Sequence, residues 1–284
     1  MVAAFLKQVM KKGKSMMGNW EVNQETGAEI TVFCCEDTVD GIFTSVYDAW
    51  ASKIGLDHVT VQAGDHQDLQ LFARYRQVET DHEKAAKVGN TIRRRMGMED
   101  YQTIYYAALA EDSEKGEAIF RTLVLGLAVS REKNITQNLQ VSCVAKVFEL
   151  ARRVENESHR YRMFVRFHEL EDDRIMFSEI EPENQVLPLL GDHFSDRFPM
   201  VNFMIFDRSH KECLIHQAGK QWVILQDADL DEERIHRYSR KEKEYTRLWK
   251  GFVSSIAIQE RRNPRCQMNF MPKKFWKYMT EHQE

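Results

Sequence analysis

The chain has 284 residues, of which 43% are hydrophobic and 11% are aromatic, so it is long enough for one large domain or two modest ones with a sizeable core. No apolar run approaches the roughly 18 residues of a membrane-spanning helix, and a formal net charge of −4 excludes a uniformly basic coat for nucleic acid. The five cysteines are scattered, and the adjacent Cys34 and Cys35 lack the spacing of zinc or iron–sulfur sites. We therefore expect a cytoplasmic protein with reduced thiols and without membrane contact, metal ion or cofactor.

The N-terminal part of the sequence predicts a lead followed by a strand and a helix. Residues 1–28 are rich in Lys, Met and Gly with a weak apolar pattern, so we expect either a flexible lead or an upstream start before Met16 or Met17. A single domain over residues 29–284 is expected to follow. The run ITVFCC predicts a strand, and the apolar spacing from Thr38 to Lys53 predicts an amphipathic helix. Alternation over residues 68–78 predicts a second strand.

A capping-box pattern from Thr80 to Glu83 predicts the start of a helix that ends near Met96. In this pattern the Thr hydroxyl and the Glu carboxylate bind backbone amides at the helix start. Arg94 and Arg95 lie on the outer face near its end. Such a run of charge is typical of a solvated face, and the alternative is a strip that binds phosphate.

Helical periodicity continues through the middle of the chain, over residues 99–110, 114–128 and 137–162. In the last of these helices Arg152, Glu155, His159 and Arg162 follow one another at spacings of three or four residues. This helix therefore presents a carboxylate, an imidazole and two guanidiniums on one face, beside its apolar stripe.

Five strands are predicted after these helices, from MFVRFHEL, RIMFSEI, VNFMIFD, ECLIHQ and QWVILQ. The first two form a hairpin, on which alternation places Arg166 and His168 on the same side. A helix from about Glu183 to Arg197 interrupts the strands and places His193 and Arg197 one turn apart. A helical cluster packed on a mostly antiparallel sheet of about five strands gives the α+β class.

The predicted domain has three parts, which are a strand and helix lobe at 29–136, a helix with an antiparallel meander at 137–228, and a C-terminal lobe at 229–284. The C-terminal lobe begins with a highly charged helix from Asp231. Between Arg261 and Lys277 it carries six basic residues, no acidic one, and interleaved aromatic residues. This pattern is typical of a segment that binds a single strand through ion pairs and base stacking. The alternative is a tail that buries its aromatic side chains and leaves Lys and Arg in water.

Several short motifs can be read together: E-x-H-R at 157–160, R-F at 166–167, I-E-P-E-N-x-V-L-P-L-L at 180–190, H-F-x-x-R at 193–197, D-R at 207–208, and R-x-N-P-x-x-Q-x-x-x-M-P-x-x-x-W ending at Trp276. In this order and spacing they resemble a bacterial family of unknown function whose members are usually labelled DNA metabolism or DNA repair proteins. The resemblance covers about residues 30–281. It implies a DNA-repair accessory that works beside a radical S-adenosylmethionine iron–sulfur protein, and some members are fused to a uracil-DNA glycosylase-like domain. It implies no catalytic mechanism.

Three functions remain open. The first is an accessory protein that binds single-stranded or damaged DNA. The second is an enzyme on nucleic acid or a nucleobase, with Glu155, His159 and His193 as acid–base candidates; we consider it less supported because no catalytic motif is present. The third is a protein that only docks the radical enzyme through the helix at Asp231 to Lys250. The residues that are candidates for binding DNA or phosphate are Arg162, Arg166, Arg197, Arg208, Arg94, Arg95, Arg261, Arg262, Arg265, Lys273, Lys274 and Trp276.

Two further explanations apply to the histidines. A polar network that joins helix to sheet would explain His159 and His193 without chemistry. A metal site from His159, His193 and Glu155 or Asp207 is conceivable in principle, but no H-E-x-x-H, H-x-H or D-x-D signature supports it.

Overall fold

The computed structural model describes residues 30–64, 72–128, 134–171, 175–228, 230–231, 235 and 237–282. The predicted flexible lead, residues 1–28, lies outside this part of the chain. The chain divides into two compact units, and the boundary falls between Glu155 and Asn156. None of the helices in the described ranges has both the length and the apolar character needed to cross a membrane.

The first unit contains a three-stranded parallel sheet with β1 (Ile30–Cys35) between β2 (Val59–Ala63) and β3 (Ala73–Gln77). Strand β1 confirms the prediction from ITVFCC. Strand β3 lies inside the predicted segment 68–78, of which residues 68–71 are outside the described residues. Strand β2 is missing from the predicted elements, although its alternating burial is typical of a strand.

Helices surround this sheet at α1 (Val39–Ala51), α2 (His82–Arg95), α3 (Met98–Ala108) and α4 (Lys115–Ala128), with 3-10 turns at Leu56–His58 and Ile135–Gln137. They confirm the helical segments predicted from periodicity, within a few residues at each end. Their apolar faces form a core with the strands, in which Phe33, Ile42, Ile92, Phe120 and Leu123 are among the fully buried side chains. Helix α5 (Ser142–Phe164) follows, and the boundary between the units falls within it.

The start of α2 differs from the predicted capping box. The N-cap residue is Asp81, whose Oδ1 accepts hydrogen bonds from the backbone amides of Glu83 at 2.9 Å and Lys84 at 3.1 Å. The Thr80 hydroxyl instead donates to Glu36 at 2.6 Å. An ionised carboxylate accepts more strongly than a hydroxyl at a helix N-terminus, which is why Asp81 caps the helix.

The second unit contains a five-stranded sheet in the order β4 (His168–Glu169), β5 (Met176–Ile180), β6 (Phe203–Asp207), β7 (Glu212–His216) and β8 (Val223–Leu225). All neighbouring pairs are antiparallel except β5 and β6, which are parallel. The connection between β5 and β6 contains α6 (Leu187–Arg197), because parallel neighbours need a crossover. This architecture confirms the α+β class and the mostly antiparallel sheet of five strands.

Two predicted boundaries in this unit are wrong. The segment MFVRFHEL does not form a full strand, because α5 continues to Phe164 and only β4 pairs with β5, so Arg166 precedes the sheet. Helix α6 begins at Leu187 instead of Glu183. The backbone amides of Glu183 and Asn184 are hydrogen-bonded to the Glu157 side chain, which holds these residues in a loop.

The C-terminal part contains α7 (Arg240–Ile256), α8 (Pro264–Phe270) and 3-10 turns at Gln259–Arg261, Lys273–Tyr278 and Thr280–His282. Helix α7 begins at Arg240, where the Ser239 side chain accepts from the Glu242 amide at 3.1 Å. Residues 232–234 and 236 of the helix predicted from Asp231 lie outside the described residues. Further along, Phe275 and Met279 are buried in the core of the second unit with Tyr161 and Phe194. The last turns are therefore fixed to the core by their apolar side chains.

The hairpin of β6 and β7 contains two neighbouring carboxylates, and the charge of one of them costs stability. Asp207 is fully buried, accepts from the amides of Ser209 and His210, and contacts the His210 ring at 2.7 Å. Glu212 is its register partner. Burial raises the pKa of Glu212, and the charges of His210 and Asp207 shift that pKa in opposite directions.

We expect Glu212→Gln to raise the free energy of unfolding at neutral pH by about 0.5–1 kcal/mol. The gain is full above the raised folded pKa of Glu212 and shrinks as the pH falls toward the ordinary Glu value of about 4.3, where both states are protonated. Urea unfolding at pH values on both sides of that range measures it. The exposed Glu244→Gln serves as the control, and an equal gain in both variants would refute the assignment.

Candidate functional site

Helix α7 presents an unusually exposed apolar face. None of its residues is buried. Tyr245, Leu248, Trp249, Phe252 and Ile256 recur at helical spacing and are all exposed, with Tyr245 at 66% and Phe252 at 53%. Large apolar side chains that cluster on one solvent-facing stripe mark an interaction surface more often than a structural face.

Basic residues accompany this face along the chain. We call the residues from Arg240 to Phe270 the C-terminal segment. It contains eight Lys and Arg residues against three Glu residues, in a chain whose formal net charge is −4. One of the three, Glu242, is held by His168 at 3.0 Å and by the amide of Glu169 at 3.3 Å. The local charge of the segment is therefore strongly positive.

The predicted tail residues divide into two groups. Arg261, Arg262 and Arg265 are exposed, and Phe270 beside them is exposed at 79%. Lys273 is also exposed and lies 5.9 Å from the centre of the Trp276 ring. These four cations are all exposed.

Trp276 and Lys274 are engaged inside the unit. The Trp276 indole donates to the carbonyl of Met271 at 3.0 Å and stacks on His282 with ring centres 4.5 Å apart. The Lys274 ammonium lies 3.0 Å from both Glu157 and Glu183. Phe275, between these two residues, is buried. This turn therefore matches the second interpretation of the tail, in which the aromatic side chains are buried in the core.

The motif residue Glu157 is the centre of a buried polar network. Its Oε1 accepts from the Glu183 amide at 3.1 Å and from Lys274 at 3.0 Å. Its Oε2 accepts from the Asn184 amide at 2.9 Å and from the Asn184 side chain at 2.7 Å. Burial alone would raise the pKa of Glu157, but these donors outweigh it and hold that pKa below its ordinary value. The network ties α5, the loop before α6 and the C-terminal turn together.

A cleft of about 340 Å³ opens on the second unit. It is lined by Arg166, His168, Phe177, Ser178, Glu179, Glu181, Arg208, Tyr238, Lys277 and Tyr278. The lining combines three permanent cations, two carboxylates and two tyrosines. The residues come from the segment after α5, from β4, from β5 and the residue after it, from the turn after β6, from the residue before Ser239, and from the C-terminal turn.

Each cation of the cleft faces a carboxylate. Arg166 lies 3.5 Å from Glu281, and the Arg208 Nε donates to Glu179 at 3.0 Å. Lys277 pairs with Glu181. Burial would lower the pKa of Lys277, but its hydrogen bond to Glu181 outweighs this effect and raises it. The cleft is therefore close to balanced in charge, with a surplus of one cation among its lining side chains.

The two tyrosines keep their protons at physiological pH. Burial raises the pKa of Tyr238 and of Tyr278, and Lys277 opposes the shift of Tyr278 only in part. The Tyr238 ring lies 5.0 Å from the ring of His168, tilted by 34°. Both phenols can donate hydrogen bonds, and their rings give the cleft aromatic walls.

The structure divides the other predicted site residues into two groups. Arg166 and Arg208 line the cleft, whereas Arg162 on α5 lies near His193 and Arg197 on α6. The Arg162 guanidinium donates to the carbonyl of Leu189 at 3.2 Å. Burial lowers the pKa of His193, and the neighbouring Arg162 and Arg197 lower it further, so this imidazole is neutral near pH 7.

The remaining candidates are on helix surfaces. Glu155 and His159 are exposed on α5, and Arg94 and Arg95 are exposed at the end of α2. The described ranges bring together no group of three or more His, Cys, Asp or Glu side chains that could hold a metal ion. The roles assigned to these four residues stay predictions.

Sequence reasoning missed half of the cleft. Tyr238 and Tyr278 lie outside the motifs, so no local signal marks them. Glu181 belongs to the motif at 180–190 and Glu179 directly precedes that motif, but neither carries a predicted role. The apolar face of α7 could have been found, because residues 245, 248, 249, 252 and 256 follow the helical period. The high charge of the helix obscured that period.

Comparison with known proteins places the chain in a family without assigning a function. No curated protein matches it. A solved structure described as the DHH domain of a member of a ribosomal protein family is 10% identical, with a TM-score of 0.37 over 76% of this chain and 79% of that chain. That similarity is too low to support an argument about fold or function. The DUF4130 family, described as a domain of unknown function, matches residues 113–281, more than half of the sequence. The chain therefore belongs to the DUF4130 family.

Proposed function

We propose that this protein binds single-stranded DNA through its C-terminal segment. The observation that carries the proposal is the exposure of Tyr245, Trp249 and Phe252 on one helix that also carries Arg247 and Lys250. Bases of a single strand stack on exposed aromatic rings, and cations elsewhere on the same segment neutralise the phosphates. This combination needs no sequence-specific hydrogen bonds.

The electrostatic argument depends on position. The chain has a formal net charge of −4, so binding of a nucleic acid depends on a local concentration of positive charge. The C-terminal segment has this concentration, and Arg261, Arg262 and Arg265 extend it beyond α7. The preference for DNA over RNA, and a role in DNA repair, rest on the resemblance noted in the sequence.

Replacing the aromatic side chains tests the proposal. We expect Trp249→Ala with Phe252→Ala to weaken binding of a fluorescein-labelled single-stranded oligodeoxynucleotide by about 10- to 100-fold, since stacking contributes about 1–3 kcal/mol per base. Fluorescence anisotropy at low salt gives the dissociation constants. The matched control is Leu248→Ala with Ile256→Ala, which removes equally exposed aliphatic groups from the same face. Equal loss in both pairs would show that stacking does not hold the strand.

The aliphatic residues of the same face favour a second candidate function, which is docking of a partner protein. Leu248 and Ile256 offer apolar area that a single strand does not need, and Ile258, just beyond the end of α7, is also exposed. By the resemblance, the partner we propose is the radical S-adenosylmethionine iron–sulfur protein of the same genome. In this case Leu248→Ser with Ile256→Ser abolishes co-purification with that enzyme and leaves oligonucleotide affinity unchanged. Co-purification that survives both substitutions would reject docking through α7.

The enzyme hypothesis remains a weaker proposal. It assigns acid–base chemistry to Glu155 or His159, and both side chains are exposed on α5. A general base is usually tuned by burial or by a fixed charge partner. We therefore propose an accessory role in which the protein binds the strand and a separate enzyme acts on it.

A further inference from the structure

We propose that the cleft of the second unit binds one nucleotide, as a base with a single phosphate. None of the residues that line this site belongs to the C-terminal segment. The two are linked by the bond between Glu242 and His168, and by the Trp249 indole, which donates at 3.4 Å to Glu281, the carboxylate that faces Arg166. A volume of about 340 Å³ is near the lower end of the range for small-molecule sites, which is about 300–1,000 Å³. A mononucleotide fits this size better than a longer ligand.

The phosphate would be held by Arg166, Arg208 and Lys277. Guanidinium groups bind phosphate oxygens through paired hydrogen bonds, and an ammonium adds a point charge. In the structure these groups face Glu281, Glu179 and Glu181. The Arg166 Nη1 is held by the carbonyls of Met163 at 3.0 Å and Val165 at 3.2 Å. Its Nη2 makes the longest of the three carboxylate contacts, at 3.5 Å from Glu281, so this nitrogen can turn to a phosphate while Nη1 stays bound.

The base would lie against the tyrosines. Tyr238 and Tyr278 are both part of the cleft lining and are only partly exposed, so their rings are fixed before the ligand enters. Aromatic rings stack on any base, and their neutral hydroxyl groups donate hydrogen bonds to ring nitrogens or carbonyl oxygens.

The two carboxylates of the cleft restrict the class of ligand. Glu179 and Glu181 repel the several charges of a diphosphate or triphosphate, while they accept hydrogen bonds from amino and imino groups on the edge of a base. A ligand with one phosphate, an aromatic ring and N–H donors matches the cations, the tyrosines and the carboxylates of the lining. Inorganic phosphate would contact only the cations, and a nucleoside would contact only the tyrosines and the carboxylates.

Calorimetric titration of the full chain with deoxynucleoside 5′-monophosphates tests this site. We expect saturable binding that is at least about tenfold tighter than that of inorganic phosphate or of the nucleoside, because each of these lacks half of the contacts. Arg208→Gln and, separately, Arg166→Gln should each weaken the mononucleotide by about tenfold. Arg208→Lys, which keeps the charge and loses the paired donors, should give an intermediate loss.

The control variant is Arg265→Gln, an exposed cation of the C-terminal segment. It should leave the mononucleotide affinity unchanged and weaken single-stranded DNA. Undetectable binding of all four mononucleotides, or binding that ignores both cleft arginines, overturns the site even if DNA binding by the C-terminal segment holds. The reverse result, mononucleotide binding without any affinity for the single strand, supports the cleft and rejects the proposed function.

The source of the nucleotide is a separate outcome of the same titration. If an oligonucleotide with a 5′ phosphate displaces the bound mononucleotide, the cleft accepts the end or an extruded base of a strand. If only free mononucleotides compete, the cleft binds the small molecule. Both results require a nucleotide site in the cleft.

Discussion

Replacing Glu157 by Ala is expected to lower the free energy of unfolding by about 3 kcal/mol. The substitution removes the acceptor of two backbone amides, of the Asn184 side chain and of the Lys274 ammonium. The Asn184 groups are buried and have no access to water in compensation. The variant therefore leaves donors unsatisfied instead of removing one contact.

The matched control is Glu155→Ala, which removes an exposed carboxylate two residues earlier on α5. We expect it to change stability by less than about 0.5 kcal/mol. Glu157→Gln, which keeps the shape and loses the charge, should fall between the two. Urea unfolding followed by circular dichroism gives the free energies, and hydrogen exchange at the Asn184 amide should become faster in Glu157→Ala. Equal stability of the variants at 155 and 157 would contradict the network.

The contribution of Glu157 should depend on pH with a defined sign. Its folded pKa is depressed, so its stabilisation is fully present above the ordinary Glu pKa of about 4.3 and is lost as the pH falls through the folded value. The difference between the native protein and Glu157→Ala should therefore be constant near neutral pH and shrink in acid.

Neutralising Arg261, Arg262 and Arg265 together is expected to weaken single-stranded DNA binding by about 10- to 100-fold at low ionic strength. These three guanidiniums are exposed and their removal leaves the core unchanged. The comparison is the replacement of Lys87, Arg94 and Arg95 by Gln, which removes the same charge from the surface of the first unit. That triple variant should bind almost as well as the native protein.

The variant with Lys87, Arg94 and Arg95 replaced also tests whether the basic run on α2 binds phosphate. The sequence alone leaves two interpretations of the basic run on α2, a solvated face or a phosphate-binding strip. If the first-unit variant loses more affinity than the C-terminal one, the strand binds at α2 and the proposed use of the C-terminal segment is wrong.

Much of the fold could be predicted because the apolar periods are strong. Helices α1 to α5 and strands β1, β5, β6 and β7 follow patterns of burial that a single sequence displays. The errors occur where a side chain far away in sequence decides the outcome. Glu157 holds residues 183 and 184 out of helix α6, and no local propensity contains that information.

The candidate site was predictable only in part, for a related reason. Arg166 and Arg208 stand out because charged residues in core-like segments need partners. Their companions Tyr238 and Tyr278 become neighbours only after the sheet and the C-terminal turn have packed. In the tail, Lys273 and Lys274 are neighbours in the sequence, and the sequence predicts the same role for both. Only the structure shows that Lys274 is bound to Glu157.

The salt dependence of single-stranded DNA binding tests whether the C-terminal segment binds the phosphate backbone. The logarithm of the binding constant should fall linearly with the logarithm of the salt concentration, with a slope of about −0.7 for each phosphate that is neutralised. We predict that replacing Arg261, Arg262 and Arg265 reduces this slope by about 2, and that replacing Lys87, Arg94 and Arg95 leaves it unchanged. Binding that does not respond to salt, or a slope that is identical in the native protein and the C-terminal variant, would contradict DNA binding by this segment.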